Sequence, residues 1–137
     1  MIDLKSVRDR LDALGIFLSV EDTVSAGEAI EQFNAPPPAA FVSTARESAA
    51  GNTLATSFRQ KVTQTVSVLW VVGAERATRD NNDPMEEIRS AIIRDLTGWT
   101  PEGSASRFEY MSYSLRFIGE GLIWGEALFA GSYYITA

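Results

Sequence analysis

A short polar run in the second half of the chain offers oxygen atoms to a metal ion. It comprises residues 80–83, with the sequence Asp-Asn-Asn-Asp, followed by Glu86. Calcium loops use carboxylates and amides in this way, but they also need a glycine and a distal glutamate that this run lacks. A turn that leads into a helix explains the same residues, because Asp83 can cap a helix that begins with Pro84. We therefore expect a helix start here and predict no metal site.

Two further groups have residue types that carry chemistry in other proteins. The first is a set of glycines: Gly119, Gly121, Gly125 and Gly131. Phosphate-binding glycines lie between a strand and a helix, whereas these lie in a β-type run, where glycine marks a turn or the close approach of another backbone. The second is a set of carboxylates: Glu109, Glu120 and Glu126. Paired carboxylates hydrolyse glycosides, but nothing fixes the spacing of these three, and solvated strand faces explain them better.

The composition excludes several further classes of chemistry. The 137 residues include no cysteine and no histidine, so disulfides, thiolate zinc sites and the commonest general base are excluded. The net charge of −6 predicts poor non-specific binding to nucleic acid, because such binding needs Lys and Arg to neutralise phosphates. No run approaches the ~18 apolar residues of a membrane helix. The sequence predicts no catalytic residue, no cofactor and no enzyme activity.

The first third of the chain predicts two helices and two strands. Asp3 caps the first helix, Gly15 ends it, and its apolar face repeats at helical spacing: Leu4, Val7, Leu11 and Leu14. A short strand is expected at residues 16–20, because this run is too short and too rich in β-formers for a helix. A capping box predicts a short helix from Ser25 to about Phe33. Residues 39–45 then predict a strand.

The clearest strand runs from Val62 to Val72, with one polar face at its start and apolar residues on both faces at its end. A polar turn at residues 76–82 leads to the second main helix, which ends at Gly98. Its apolar stripe is expected to be buried: Met85, Ile88, Ile92 and Leu96. Strands at 108–118 and 122–135 follow, joined by a hairpin turn at residues 119–121.

This order of elements predicts an α+β fold. We expect a single domain over residues 1–137, with a mixed, mostly antiparallel sheet of about four to five strands. Two main helices are expected to pack on one side of the sheet.

The chain as a whole resembles the tail terminator proteins of long-tailed bacteriophages. The likeness covers nearly the whole chain and is one of length, order and patches rather than of a catalytic signature. The segments that carry the likeness are residues 7–11 ahead of Leu14-Gly15, the proline run before residues 39–42, the strand 60–72, the helix 88–96 with Gly98-Trp99-Thr100-Pro101, and residues 122–124 and 129–134.

The resemblance implies a structural role in the virion. It implies a mixed sheet flanked by helices and a homohexameric ring that caps the tail tube and ends tail polymerisation. It also implies a contact with the head–tail connector protein, assembly in the host cytoplasm, no membrane, and genomic DNA passing through the ring without specific binding. The acidic balance suits such a channel if carboxylates line it.

Two surfaces are predicted to join neighbouring copies of the ring. The first is the small, polar run 46–56 with the polar end of the strand that follows: Arg46, Glu47, Asn52, Arg59, Lys61, Thr63 and Gln64. The second is aromatic, as interfaces often are, and lies in the last strand: Trp124, Tyr133 and Tyr134. A solvated hairpin is the alternative for the first surface, and ordinary core packing is the alternative for the second.

Two other functions fit the same composition. One is a different phage structural part of similar size, such as a head-completion or adaptor protein. The other is a small-ligand binding module with a pocket around Trp70, Trp99 and Trp124. Arrest of tube growth distinguishes the terminator from both.

Overall fold

The computed structural model of the protein describes residues 1–74 and 84–137. Its elements in chain order are α1 (Leu4–Asp12), β1 (Ser19–Asp22), α2 (Ala26–Gln32), β2 (Ala39–Ala49), β3 (Arg59–Gly73), α3 (Pro84–Leu96), β4 (Glu109–Gly119) and β5 (Leu122–Thr136). No helix within these described residues is long and apolar enough to cross a membrane.

Helices α1 and α2 begin at the predicted caps. The Asp3 carboxylate accepts a hydrogen bond from the backbone N–H of Lys5, and the Ser25 hydroxyl accepts one from the N–H of Glu28. These bonds satisfy amide groups that have no partner inside the helix. Gly15 follows α1 with a φ of 70°, in the left-handed region that glycine adopts without steric cost.

Helix α3 buries the predicted stripe, which consists of Met85, Ile88, Ile92 and Leu96. Gly98 follows it with a φ of 82°. The predicted cap Asp83, like the polar turn at residues 76–82, lies outside the described residues.

The five strands form one sheet in the order β1-β2-β3-β5-β4. Strands β1 and β2 are parallel, and the other three neighbouring pairs are antiparallel. Glu120 and Gly121, both with positive φ, form the predicted tight turn between β4 and β5. The α+β class and the mostly antiparallel sheet are therefore confirmed.

The two main helices, α1 and α3, pack on one face of the sheet as predicted, and the short α2 covers the other face, which the prediction left open. Alternate residues of β3 point to opposite faces. Val68 and Trp70 pack in a core with α1 and α3, while Leu69 and Val71 pack in a second core with α2 and Trp124. The short α2 was underestimated because its apolar surface consists mainly of small alanines.

Two strand boundaries also differ from the prediction. Strand β1 begins at Ser19 rather than at residue 16, because its parallel pairing with β2 starts there, whereas Phe17 packs into the core from outside the strand. Strand β2 continues to Ala49, so residues 46–49 form a ladder with β3 instead of a loop. The tertiary pairing overrides the weak β-propensity of this small, polar run.

Candidate assembly surfaces

Three strands continue past both edge strands and form what we call the arm. It comprises the hairpin residues 46–65 and the strand residues 131–136. Strand β4 pairs with β5 only as far as Ala130, and β1 pairs with β2 only up to Val42, whereas β3 pairs with β5 as far as Arg59 and Thr136. The arm therefore extends at one end of the sheet with β3 at its centre.

One face of the arm is basic. Directly paired residues of an antiparallel ladder lie on the same face. Arg46 pairs with Thr65 of β3, and Tyr134 pairs with Lys61 of β3. Lys61 and Thr65 are an even number of positions apart on β3, so all four side chains lie on one face. Arg59 shares this face, and its guanidinium carbon lies 3.8 Å from the centre of the Tyr134 ring. No ion pair within the described residues involves any of these three basic side chains. The arm therefore presents three positive charges with no carboxylate partner there.

The tip of the arm is a loop, residues 50–58, organised by Asn52. The side-chain oxygen of Asn52 accepts hydrogen bonds from the N–H groups of Leu54 (3.3 Å) and Arg59 (3.1 Å). Its side-chain nitrogen donates to the carbonyls of Leu54 and Ser57, both at 3.3 Å. Leu54 and Phe58 remain 45% and 39% exposed. The loop thus presents two large apolar side chains to solvent.

Two of the predicted interface residues lie inside the protein. Gln64 is 1% exposed, accepts a hydrogen bond from the backbone N–H of Ile2 at 3.1 Å and donates one to the Thr44 hydroxyl at 2.9 Å. Trp124 is also 1% exposed, and its ring centre lies 5.0 Å from that of Phe33. Gln64 fastens the base of the arm to the N terminus, and Trp124 belongs to the core under α2.

Tyr133 and Glu47 join two strands of the arm across β3. The Tyr133 hydroxyl donates a hydrogen bond to Glu47 Oε1 at 3.2 Å. The pKa of Tyr133 is raised above its ordinary value. Partial desolvation is the largest cause, and the hydrogen bond to Glu47 and the negative charge of Glu47 are the smaller causes. Both residues were predicted at an interface, and the structure shows a contact between them within one chain.

A pocket of about 450 Å³ lies between β1 and α2. Its apolar lining includes Ala29, Phe33 and Phe41, and Val24, which is 81% exposed, lies at its edge. Three carboxylates also line it: Glu21, Asp22 and Glu28. Asp22 pairs with Arg8 at 3.0 Å, whereas no ion pair within the described residues involves Glu21 or Glu28.

Sequence reasoning missed this pocket, although the sequence carries a signal for it. Residues 11–45 contain five carboxylates and neither lysine nor arginine. The hairpin residues 46–65 contain three basic residues and only one carboxylate. The charges are therefore segregated along the chain, and the fold places the acidic segment at one end of the sheet and the basic segment at the other.

The candidate metal ligands at residues 80–83 lie outside the described residues. Glu86 pairs with Arg89 at 3.2 Å on α3. Among residues 1–74 and 84–137, no group of three acidic, histidine or cysteine side chains could hold a metal ion.

Of the candidate phosphate-binding glycines, Gly119 and Gly121 lie at the predicted turn, whereas Gly125 and Gly131 lie against side chains rather than, as predicted, against another backbone. A Cβ at Gly125 would lie 2.7 Å from the terminal methyl of Met85, and one at Gly131 would lie 2.8 Å from Cδ1 of Ile2. Real Cβ atoms do not approach other atoms this closely, so a larger residue at either position would have to displace the side chain of Met85 or Ile2.

The three candidate carboxylates do not converge. Glu126 is buried, accepts a hydrogen bond from the Ser67 hydroxyl and lies 3.7 Å from Arg116. Glu109 pairs with Ala130, which lies four residues beyond Glu126 on β5, so Glu109 and Glu126 are roughly 14 Å apart along the strand direction. Glu120 lies in the β4–β5 turn. The burial of Glu126 is contrary to the prediction of a solvated strand face. The three carboxylates nevertheless form no catalytic pair.

The three tryptophans do not line one pocket, contrary to the prediction. Trp70 packs in the core beneath α1 and α3, with Trp99 at its edge, whereas Trp124 lies in the other core. The sheet separates Trp70 from Trp124, because their side chains lie on opposite faces.

Comparisons with known proteins give two positive results. A family model described as "Phage tail terminator protein" matches residues 1–137. Among solved structures, a chain of the "Virion of native gene transfer agent (GTA) particle" is similar, with a TM-score of 0.54 and 17% sequence identity. That match covers 98% of this chain and 96% of the other. Comparison with curated protein sequences gives no match.

Proposed function

The chain belongs to the phage tail terminator protein family over its full length, and on that premise we propose that it caps the tail tube and ends tail polymerisation. The family is structural, so the chain is a component of a phage-like virion and not an enzyme. The family match over residues 1–137 is the observation that carries the proposal.

The functional unit is a ring of six copies with a central channel. A closed ring needs two different surfaces on each copy, one for each neighbour. The arm and the pocket between β1 and α2 are two such surfaces, because they differ in shape and charge and lie at opposite ends of the sheet. The arm supports assembly most directly, since residues 59–63 extend the sheet beyond the edge strands.

The exposed edge of the sheet offers a further contact surface. Strand β4 lies at the end of the sheet order, so its outer backbone groups have no neighbouring strand among residues 1–74 and 84–137. Four apolar side chains of β4 are exposed: Met111, Leu115, Phe117 and Ile118. Open sheet edges are typical places for another chain to pair. The tail tube protein and the head–tail connector protein are the partners that this role requires.

The charge of the chain fits a conduit for DNA. With a net charge of −6, the ring repels phosphates on average, so DNA can pass without being held. Lysine substitutions of carboxylates that line the channel should therefore slow DNA release. Unchanged ejection kinetics would contradict a role for charge in the channel.

The test combines the mass in solution with tube growth. Light scattering over a range of concentrations, with negative-stain images of the same samples, should show six-fold rings of six times the 15.0 kDa chain mass. They should form alone or when the tail tube protein is added, and tube lengthening should stop. A monomer that leaves tube growth unchanged would contradict the proposal. Rings that leave tube growth unchanged would favour a head-completion or adaptor protein.

A further inference from the structure

We propose that the arm of one copy docks into the acidic pocket between β1 and α2 of the next copy. The inference rests on the proposed ring and specifies which two surfaces meet in it. Its occupant is a second copy of this chain, and it involves the arm's basic face and apolar tip.

The two surfaces have complementary charge. Arg46, Arg59 and Lys61 have no ion-pair partner within the described residues, and neither do Glu21 and Glu28 of the pocket. Glu28 is also half-buried, so its carboxylate is less screened by water than an exposed one. A contact between the surfaces would pair charges that one chain leaves unpaired.

The two surfaces also have complementary shape and polarity. The tip presents Leu54 and Phe58, both partly exposed, and the pocket offers an apolar lining that includes Phe33 and Phe41. Its volume of about 450 Å³ lies in the range that receives a small ligand, which leaves room for side chains of the tip. An apolar anchor in a pocket with a polar rim is the usual anatomy of a protein interface.

The contact must form between molecules. The basic residues of the arm and the residues that contact α2 lie on the same face of β3, since Lys61 and Leu69 are both odd-numbered positions of one strand. Eight residues separate them, which corresponds to roughly 27 Å along a strand. A sheet strand cannot fold back over this distance, so the arm reaches the pocket of another copy only. Such a head-to-tail contact is heterologous, as a ring requires.

Charge reversal in two separate variants tests the contact. The arm variant Arg59→Glu/Lys61→Glu and the pocket variant Glu21→Lys/Glu28→Lys should each need at least tenfold higher concentration to assemble than the wild type. In a 1:1 mixture the reversed arm meets the reversed pocket, and the unchanged arm meets the unchanged pocket. Rings of alternating copies should therefore reappear, which an even number of six subunits permits.

The control carries the same change of charge elsewhere. Arg94→Glu/Arg107→Glu alters two exposed basic residues outside the arm that no ion pair within the described residues involves, and it should assemble as the wild type does. Wild-type rings together with an arm variant that assembles normally would overturn this inference and leave the proposed function intact. A wild-type protein that forms no ring, alone or with the tube protein, would overturn both.

Engineered cysteines give a second test that does not depend on the charge variants folding. The natural chain has no cysteine, so Val24→Cys/Phe58→Cys introduces the only two thiols. Oxidation of the assembled variant should give a ladder of covalent oligomers, whereas each single-cysteine variant should stop at dimers. Absence of the ladder in rings of normal mass would overturn the contact.

Discussion

The two halves of β3 differ in what surrounds them. From Val66 to Val72 every side chain is buried. Helices α1 and α3 cover one face, and on the other face Leu69 and Val71 lie in the α2 core while Ser67 donates a hydrogen bond to the buried Glu126. From Arg59 to Thr65 only Val62 and Gln64 are buried, while Arg59, Lys61 and Thr63 are exposed. One continuous strand therefore serves the core in one half and the surface in the other.

This difference separates stability from assembly. Burial of apolar surface is the main source of folding free energy, so truncating a side chain in the covered half should lower the free energy of unfolding. The projecting half contributes little burial of its own, so exposed substitutions there should leave folding intact and affect contacts with other copies. Four predictions test this division, from the largest expected effect to the smallest.

The largest effect is expected in the covered half. Trp70 is fully buried between the sheet and the helices, and Trp70→Ala leaves a large cavity there. The substitution should lower the free energy of unfolding by about 3–5 kcal/mol in urea denaturation. Thr63→Ala in the arm is the matched control and should change it by no more than about 0.5 kcal/mol. Equal losses for the two variants would refute the division of β3.

The second effect is expected at the junction of the two halves. Gln64→Ala removes the partners of the Ile2 N–H and the Thr44 hydroxyl. Unpaired polar groups of this kind cost about 1–3 kcal/mol, so the free energy of unfolding should fall by that amount. Gln60→Ala, four residues earlier on the same face of β3, should have a much smaller effect by the same urea measurement. A negligible effect at Gln64 would show that the N terminus does not fasten the arm.

Much of the covered half was predictable from the sequence, and the physical reason is periodicity. The helix stripes around Val7 and Ile92, and the change along β3 from one polar face to two apolar faces, are local patterns of burial. The turn at Glu120 and Gly121 was predictable because few residue types adopt its backbone conformation.

The arm and the pocket were harder to predict because pairing across the sheet determines them. Residues 46–49 have the composition of a loop, yet β3 holds them in a ladder. Gln64 has a polar side chain, and its burial depends on Ile2, which is 62 residues away. The acidic pocket arises where β1 and α2 come together, and only the segregation of charge along the chain indicated it.

The third prediction concerns the tip of the arm. Leu54→Ser/Phe58→Ser removes two exposed apolar side chains and should change the free energy of unfolding by no more than about 0.5 kcal/mol. Assembly should nevertheless need at least tenfold higher concentration in light scattering. Leu18→Ser, at an apolar position that is 67% exposed and lies outside the arm and the pocket lining, should assemble normally. A large loss of folding stability in the tip variant would show that the loop supports the core.

The smallest effect is expected from Tyr133 and Glu47, and it should depend on pH. The raised pKa of Tyr133 means that folding favours its neutral hydroxyl, which desolvation and Glu47 both stabilise relative to the phenolate. Its contribution to stability is therefore fully present below the ordinary pKa of about 10 and is lost as the pH rises through the raised pKa. Tyr133→Phe should melt slightly below the wild type at pH 8, by less than Gln64→Ala does. The gap should close as the pH rises above 10.

Tyr134→Phe is the control for this titration, since its ring still lies under Arg59 and no hydrogen bond within the described residues involves its hydroxyl. It should melt as the wild type does at pH 8. A second variant, Glu47→Gln, should lower the pKa of Tyr133 toward its ordinary value, because the negative charge beside the hydroxyl is gone. If Tyr133→Phe and the wild type melt together at pH 8, the contact between the outer strands does not stabilise the arm, and the pairing of those strands with β3 suffices to hold it.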